Sequence, residues 1–371
     1  MRKLILALCM LGICPGCWDM KEINQLALVD TIAMDQDDNR NFHFYFQVLN
    51  PPSIEARGSG PSRAAVYTYE VSAPAIGLIT KKTEAVMSRK LYTSHMQVYV
   101  LSERSARNGV LSFVNLLEND PERRTNVYTI VTEEPVSTVM NSFTVLDRVP
   151  GRNIRLLLDW HAKNFGINKL PIRMKDIVAG IPFSRPTIIP IIQYTGERAA
   201  SKADRLDDIN ATKENLRLVS GAVFIRAKMV GKINTEIKNL YYVFNGYAKR
   251  IDETVEVRNK RVDIEVRDIK IKRIWKTEKQ LILRLNAKAG IINNEQNQRL
   301  NASNIKELEQ AINSFFNEKG EDFFRFALKQ NWDLLGIGDT RQGRKNWKEI
   351  KVQFDTHSKV TSLGNTITPY E

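Results

Sequence analysis

The chain has 371 residues, 43% hydrophobic and 26% charged, with 55 basic against 42 acidic side chains. That length and balance belong to a folded ectodomain with room for two or three packed cores. The formal charge of +13 is interleaved with acidic residues, so it describes a solvated surface with a secondary attraction to anionic membranes.

At the start, Arg2 and Lys3 precede an apolar run over 4–13. This suits the hydrophobic part of an export signal and falls short of the ~20 residues that span a bilayer. Gly16 stands directly before Cys17, the arrangement a lipoprotein signal peptidase cuts once a diacylglycerol group is on the thiol. Cys17 is therefore the expected lipidated residue, an S-diacylglyceryl and N-acyl cysteine, with 1–16 as signal peptide. The place three before it holds Cys14 in place of the usual aliphatic residue, and Cys14 itself follows Ile13, too bulky for cleavage there. With Cys9, Cys14 and Cys17 the only cysteines, the mature chain has no internal disulfide and must rely on packed cores. An exported lipoprotein of this kind leaves no role for nucleic acid.

Residues 28–34 read as a strand, and Phe42, Phe44, Phe46 and Val48 alternate as a second. Between them, Asp35, Asp37 and Asn39 imitate a calcium loop, but Arg40 stands where glycine is needed and Phe46 where a bidentate glutamate is needed. A hairpin turn is expected. Residues 50–64, rich in Pro, Gly, Ser and Arg, form a loop before a strand over 66–71. A helix over 74–89 should turn Ile76, Ile79, Val86 and Met87 inward, ahead of a strand through Met96, Val98 and Val100. His95 sits at that strand's start with no acid or nucleophile beside it in sequence, so a structural role is expected. Ala106, Val110, Phe113, Val114 and Leu117 define one helical face, ended by Asn119-Asp120-Pro121-Glu122 before a strand over 127–131. Helices are expected over 135–141, 154–163 and 174–179. The apolar run 187–194 contains Pro190 and so belongs at a sheet edge or bulge.

Residues 195–214 are polar and without periodicity, and are expected to link an N-terminal region, 17–194 with a subdivision near 130–155, to a C-terminal domain, 215–371. Gly221-Ala222-Val223-Phe224 starts a strand, 228–232 reads as a tight turn, and a helix follows through Ile237, Leu240, Tyr241 and Phe244. Three alternating strands come next: Val262-Ile264-Val266, Ile269-Ile271-Ile274 and Leu281-Leu283-Leu285-Ala287, one face buried and the other charged. A long helix should start at Asn304, capped with Glu307, and lie across this sheet on Ile305, Leu308, Ile312, Phe315 and Phe316. It continues after Gly320 through Phe323, Phe324, Ala327 and Leu328. Gly336-Ile337-Gly338 follows a helix and lacks a third glycine, so it is no dinucleotide motif. A last strand lies near Val360. The expected fold class is α+β, multidomain, with mixed or antiparallel sheets each packed with helices.

Several of these segments resemble one family. Cys17-Trp18-Asp19 with Glu22-Ile23-Asn24 resembles the mature start of the C subunits of nutrient germinant receptors of bacterial endospores, the Ger(x)C family. Lys90-Leu91-Tyr92 with His95, the Asp120-Pro121-Glu122 turn, and the small-apolar-Phe strand followed by Lys228-Met229-Val230-Gly231 are similar to the same family. So is the run from Asp333 through Gly336-Ile337-Gly338 to Trp347-Lys348 and Ile350. The chain departs from the pattern at Phe354-Asp355, where the family shows Trp-Asp, a change expected to alter packing only.

The resemblance implies a non-enzymatic lipoprotein without cofactor, held on the outer face of the membrane at the spore inner membrane beside two integral membrane receptor subunits. No cluster of convergent polar groups is evident in the sequence, so direct nutrient binding is not expected of this domain. The alternative, a solute-binding lipoprotein of a transporter, calls for two doubly wound lobes, whereas here strands follow one another before one long helix. A membrane-tethered hydrolase has no Gly-x-Ser-x-Gly to stand on. His43, His95, His161 and His357 lack metal-ligand spacing.

Overall fold

The computed structural model describes residues 22–50, 65–119, 125–142, 147–167, 170–196, 215–295 and 302–362. Cys17, most of the loop expected over 50–64 and the Asp120-Pro121-Glu122 turn lie outside the described residues.

The first sheet is built around β1 (Leu26–Gln36). Val29, Ile32, Ala33 and Met34 are all buried, the near-continuous apolar run of a strand covered on both faces. A hairpin leads to β2 (Phe42–Leu49), with Asp37 accepting from the Asn41 main-chain and side-chain amides at 2.7 and 2.8 Å. β3 (Val66–Ala73) pairs antiparallel with β2. On its other side β1 pairs in parallel with β4 (Lys90–Tyr92) and then β5 (Val98–Ser102); β6 (Tyr128–Thr132) and β7 (Thr187–Thr195) continue in parallel. β8 (Asn215–Ile225) and β9 (Lys228–Asn234) complete the sheet as an antiparallel hairpin. The order is β3-β2-β1-β5-β6-β7-β8-β9, with β4 beside the start of β1.

Helices cover this sheet. In place of one helix over 74–89 there is a short 3₁₀ turn and then α1 (Ile79–Val86), whose buried residues are Ile79 and Thr83, while Val86 faces solvent. The single face expected from Ala106 to Leu117 is split between α2 (Glu103–Asn108) and α3 (Leu111–Glu118), because Gly109 adopts φ 108° between them; all five side chains are nonetheless buried. α4 (Val136–Met140), α5 (Pro150–Asn164) and α6 (Met174–Gly180) follow β6. β7 lies inside the sheet rather than at its edge. It pairs with β6 only at Ile191 and Ile192, so Pro190 stands just outside that ladder, and the register shift against β8 falls at Ile191/Ile192.

Residues 197–214, most of the expected linker, lie outside the described residues; the strands flanking them, β7 and β8, pair directly with each other. The turn expected over 228–232 is strand β9, and the chain reverses two residues earlier at Arg226-Ala227, both with positive φ. α7 (Thr235–Phe244) then leads to the second sheet: β10 (Arg250–Val257), β11 (Lys260–Thr277), β12 (Gln280–Asn294) and β13 (Lys351–Ser362), in that order. Two of the expected strands are one, since β11 runs through a register shift between Arg267 and Lys270 where Asp268 takes φ 55°.

Between β12 and β13 runs α8 (Ala302–Gln330), 29 residues long and unbroken at Gly320. Asn304 lies within it rather than at its cap. Leu308, Ile312, Phe316, Phe323 and Ala327 form its buried stripe. Its polar flank serves the sheet edge: Glu309 Oε1, Asn313 Oδ1 and Asn317 Oδ1 accept from the main-chain amides of Val360, Ser358 and Thr356 at 2.8, 2.8 and 2.9 Å. Four helical residues advance about 6 Å and two strand residues about 6.6 Å, so the two ladders stay in step.

Candidate functional site

Segments that carry the family resemblance meet between the two sheets. Trp332 packs against β9 at Gly231, where a Cβ would stand 2.4 Å from the indole ring. The next residue, Asp333, is buried, and its carboxylate is fully engaged. Oδ1 accepts from the Ile337 amide at 2.8 Å; Oδ2 accepts from the Gly338 amide at 2.7 Å and the Ser184 hydroxyl at 2.6 Å. Asp339 accepts from the amides of Ser184 and Arg185 at 2.6 and 3.2 Å, so the turn after α8 is fastened to the chain just ahead of β7. On the other side Asn245 donates to the Leu334 carbonyl at 3.0 Å and Arg273 of β11 donates to the Leu335 carbonyl. Burial, with Arg185 nearby, pulls the Arg273 guanidinium below its ordinary value. This knot ties both sheets to one turn. With its oxygens taken by three donors, Asp333 is a tether and not a base.

The histidines are placed separately. His43 Nδ1 lies 2.7 Å from Ser72 Oγ across the β2–β3 ladder, and Nε2 lies 3.5 Å from Asp37. Sequence spacing gave no sign of this serine–histidine–aspartate line. The same Nδ1 also faces Glu70 Oε1 at 3.2 Å, which an imidazole meets only as a donor, and a donor nitrogen cannot take the serine proton. The line is a link between strands. His95 is exposed against Tyr92, and His357 meets Asp355 at 3.0 Å. His161 on α5 packs against Phe165 and Tyr242, and among the described residues its Nε2 has no hydrogen-bond partner. Burial, then the charge of Lys238, lowers it to about 4, and burial lowers Lys238 to about 8. Among the described residues no group of three or more His, Cys, Asp or Glu is placed to hold a metal ion.

Two hollows stand out. One of about 380 Å³ lies under α1, lined by Ile32, Phe44, Phe46, Ile79, Phe113 and Leu117. Another, of about 310 Å³, is polar and gathers His95, Gln97, Tyr128, Arg155 and Arg173 from four separate stretches, which is why sequence spacing did not reveal it.

This two-sheet architecture with its signature turn defines a family. Residues 19–194 match the family described as spore germination protein N-terminal domain, and 220–363 match spore germination B3/GerAC like, C-terminal. The chain belongs to this Ger(x)C family. It is 24% identical over 379 residues to spore germination protein KC of Bacillus subtilis (strain 168), covering 95% of this chain and 91% of that protein. Spore germination protein B3 of the same organism is 26% identical over 175 residues, 46% of this chain and 44% of that one. Among solved structures, the crystal structure of the GerBC protein matches with a TM-score of 0.54 at 14% identity, over 89% of this chain and 96% of that chain, a likeness of fold. Among the described residues no helix is long and apolar enough to cross a membrane.

Proposed function

We propose that this chain is the lipid-anchored C subunit of a spore germinant receptor, a non-enzymatic ectodomain that assembles with two integral membrane subunits and relays the nutrient signal. The observation that carries the reading is the match to both family domains in their order along nearly the whole chain. It is supported by the names of its relatives, which are spore germination proteins. The proposed anchor is Cys17, preceded by Gly16 and a short apolar run, with residence at the spore inner membrane. A diacylglyceryl group, with an added N-acyl chain, supplies the two or more chains that stable anchoring needs, where one alone is marginal. Confinement to that surface raises effective concentration, so a weak interface suffices to hold the subunit against its partners. The engaged carboxylate of Asp333 and the donor nitrogen of His43 speak for architecture over catalysis at the two most organised polar clusters. The experiment is Cys17→Ala: palmitate labelling should vanish and nutrient-triggered germination should fall. A variant that keeps both its label and its germination response would overturn the proposal.

A further inference from the structure

The polar cleft takes no part in the reading above. β1, β5 and β6 run in parallel, with Val98 level with Thr31 and with Tyr128, so residues 94–97 and 126–127 lie at the end of the sheet where the chain enters β1. There Arg155 donates to Gln97 Oε1 and its Nε stands 3.5 Å from Asp159, whose Oδ1 also accepts from the Tyr128 hydroxyl at 2.8 Å. The Asp159 carboxylate is thus shared by two donors. Arg173 lies over the Tyr128 ring at 5.0 Å, and its guanidinium has no carboxylate partner among the described residues. Its main chain is fixed independently, the amide donating to Asp176 Oδ2 and the carbonyl accepting from the Asp176 amide, each at 2.8 Å. The exposed ring of His95 completes the lining. A half-buried guanidinium with no carboxylate ion-pair partner among the described residues, in a polar hollow of about 310 Å³, suits the oxygens of a phosphate group.

Position says where that phosphate comes from. Cys17 precedes Leu26 by nine residues, at most about 30 Å of chain, so an anchored protein keeps this end of the sheet near the bilayer. α5, which supplies Arg155, also exposes Leu156 (43%) and Trp160 (57%), and Lys163 lies over the Trp160 ring at 4.7 Å. An exposed tryptophan among basic side chains is the composition of a surface that meets lipid headgroups. We propose that this cleft binds the phosphate of an anionic membrane lipid, with Arg173 as the main ligand and Trp160 at the interface beside it. The orientation, though not the cleft, rests on the anchoring proposed above.

The test uses residues 18–371, the mature chain without its lipidated cysteine, so that neither an acyl group nor the apolar run over 4–13 contributes, floated with vesicles of phosphatidylcholine alone or with added phosphatidylglycerol. Binding should require phosphatidylglycerol and weaken about tenfold in Arg173→Gln. Lys272→Gln, which removes the same charge from the second sheet, should change it less than about twofold. Arg173→Lys should recover part of the loss, and His95→Ala should show a smaller one, which keeps the test open if Arg173→Gln does not fold. Equal losses in Arg173→Gln and Lys272→Gln would reduce the effect to net charge and sink the site. Inorganic phosphate that raises the melting temperature through Arg173 without any vesicle binding would make the cleft a solute site and overturn the lipid assignment.

Discussion

Asp333 accepts from three donors, so the cost of removing it lies in what is left behind. Asp333→Ala strands two amides and a hydroxyl in a buried turn, each charge-assisted bond contributing about 1.5–3 kcal/mol, and a total loss of about 3–5 kcal/mol is expected in urea unfolding. Asp333→Asn, which still accepts, should lose less. A second pair of residues governs pH. Burial, partly offset by the Thr31 hydroxyl, raises Asp30 from 3.8 to about 6. The folded chain therefore holds this proton more tightly than the unfolded chain, and stability falls as pH rises from about 4 to about 6, by up to about 3 kcal/mol. His161 runs the other way: depressed from 6.5 to about 4, it binds its proton better when unfolded, so stability falls as pH drops through that window. The two slopes oppose each other across nearly the same range. Asp30→Asn should gain up to about 3 kcal/mol at pH 7 and unmask a profile that rises with pH, while His161→Phe should unmask one that falls. Unfolding curves at pH 4.5 and pH 7 would decide, and identical profiles in all three proteins would refute the pairing.

Among the elements, α8 shows how an edge strand is closed by side chains. Asn313→Ala or Asn317→Ala leaves an amide of β13 without its acceptor and should each lose about 1–2 kcal/mol. The same helix keeps Gly320 against its own propensity. Alanine there would gain up to ~1 kcal/mol of helix preference. Its Cβ would stand 2.3 Å from the Phe354 ring, and overpacking of that kind costs about 1–3 kcal/mol. The clash wins, so Gly320→Ala should destabilise and Phe354→Leu should relieve it. This contact also locates the departure at Phe354-Asp355: Phe354 packs on Gly320 and lies 4.9 Å from Phe244. The apolar runs made β1, β2 and α8 readable from sequence alone. β10 was not, because Glu253, half-buried, interrupts the alternation of Ile251, Val255 and Val257. The two hairpins at Arg226-Ala227 and Arg258-Asn259 place residues other than glycine at positive φ, so the usual Asn-Gly or Asp-Gly signal is missing. Asp333 could be picked out by resemblance, but Ser184 lies far upstream in the chain, and no local pattern announces a bond between them.

For the whole molecule, the domain boundary proposed in 195–214 falls between the two family matches, which end at 194 and begin at 220. Limited proteolysis should cut there first, and the pairing of β7 with β8 predicts that the nicked chain stays associated until denatured. Cutting elsewhere first would move the boundary. Calorimetry of residues 18–371 against single amino acids, sugars and potassium salts should show no saturable heat, the outcome expected if this subunit relays the signal without binding the nutrient itself; micromolar binding of one nutrient would overturn that expectation. The position of β1 has a mechanical consequence. The strand nearest the proposed tether is an inner one, bonded to β2 on one side and to β4 and β5 on the other. A pull on the N-terminus along its axis loads all these ladders in shear at once instead of peeling them bond by bond. Displacement of the tether is then transmitted to the centre of the sheet as a rigid push or pull, and lateral movement of membrane partners would be felt in the ectodomain's core before any peripheral strand gives way.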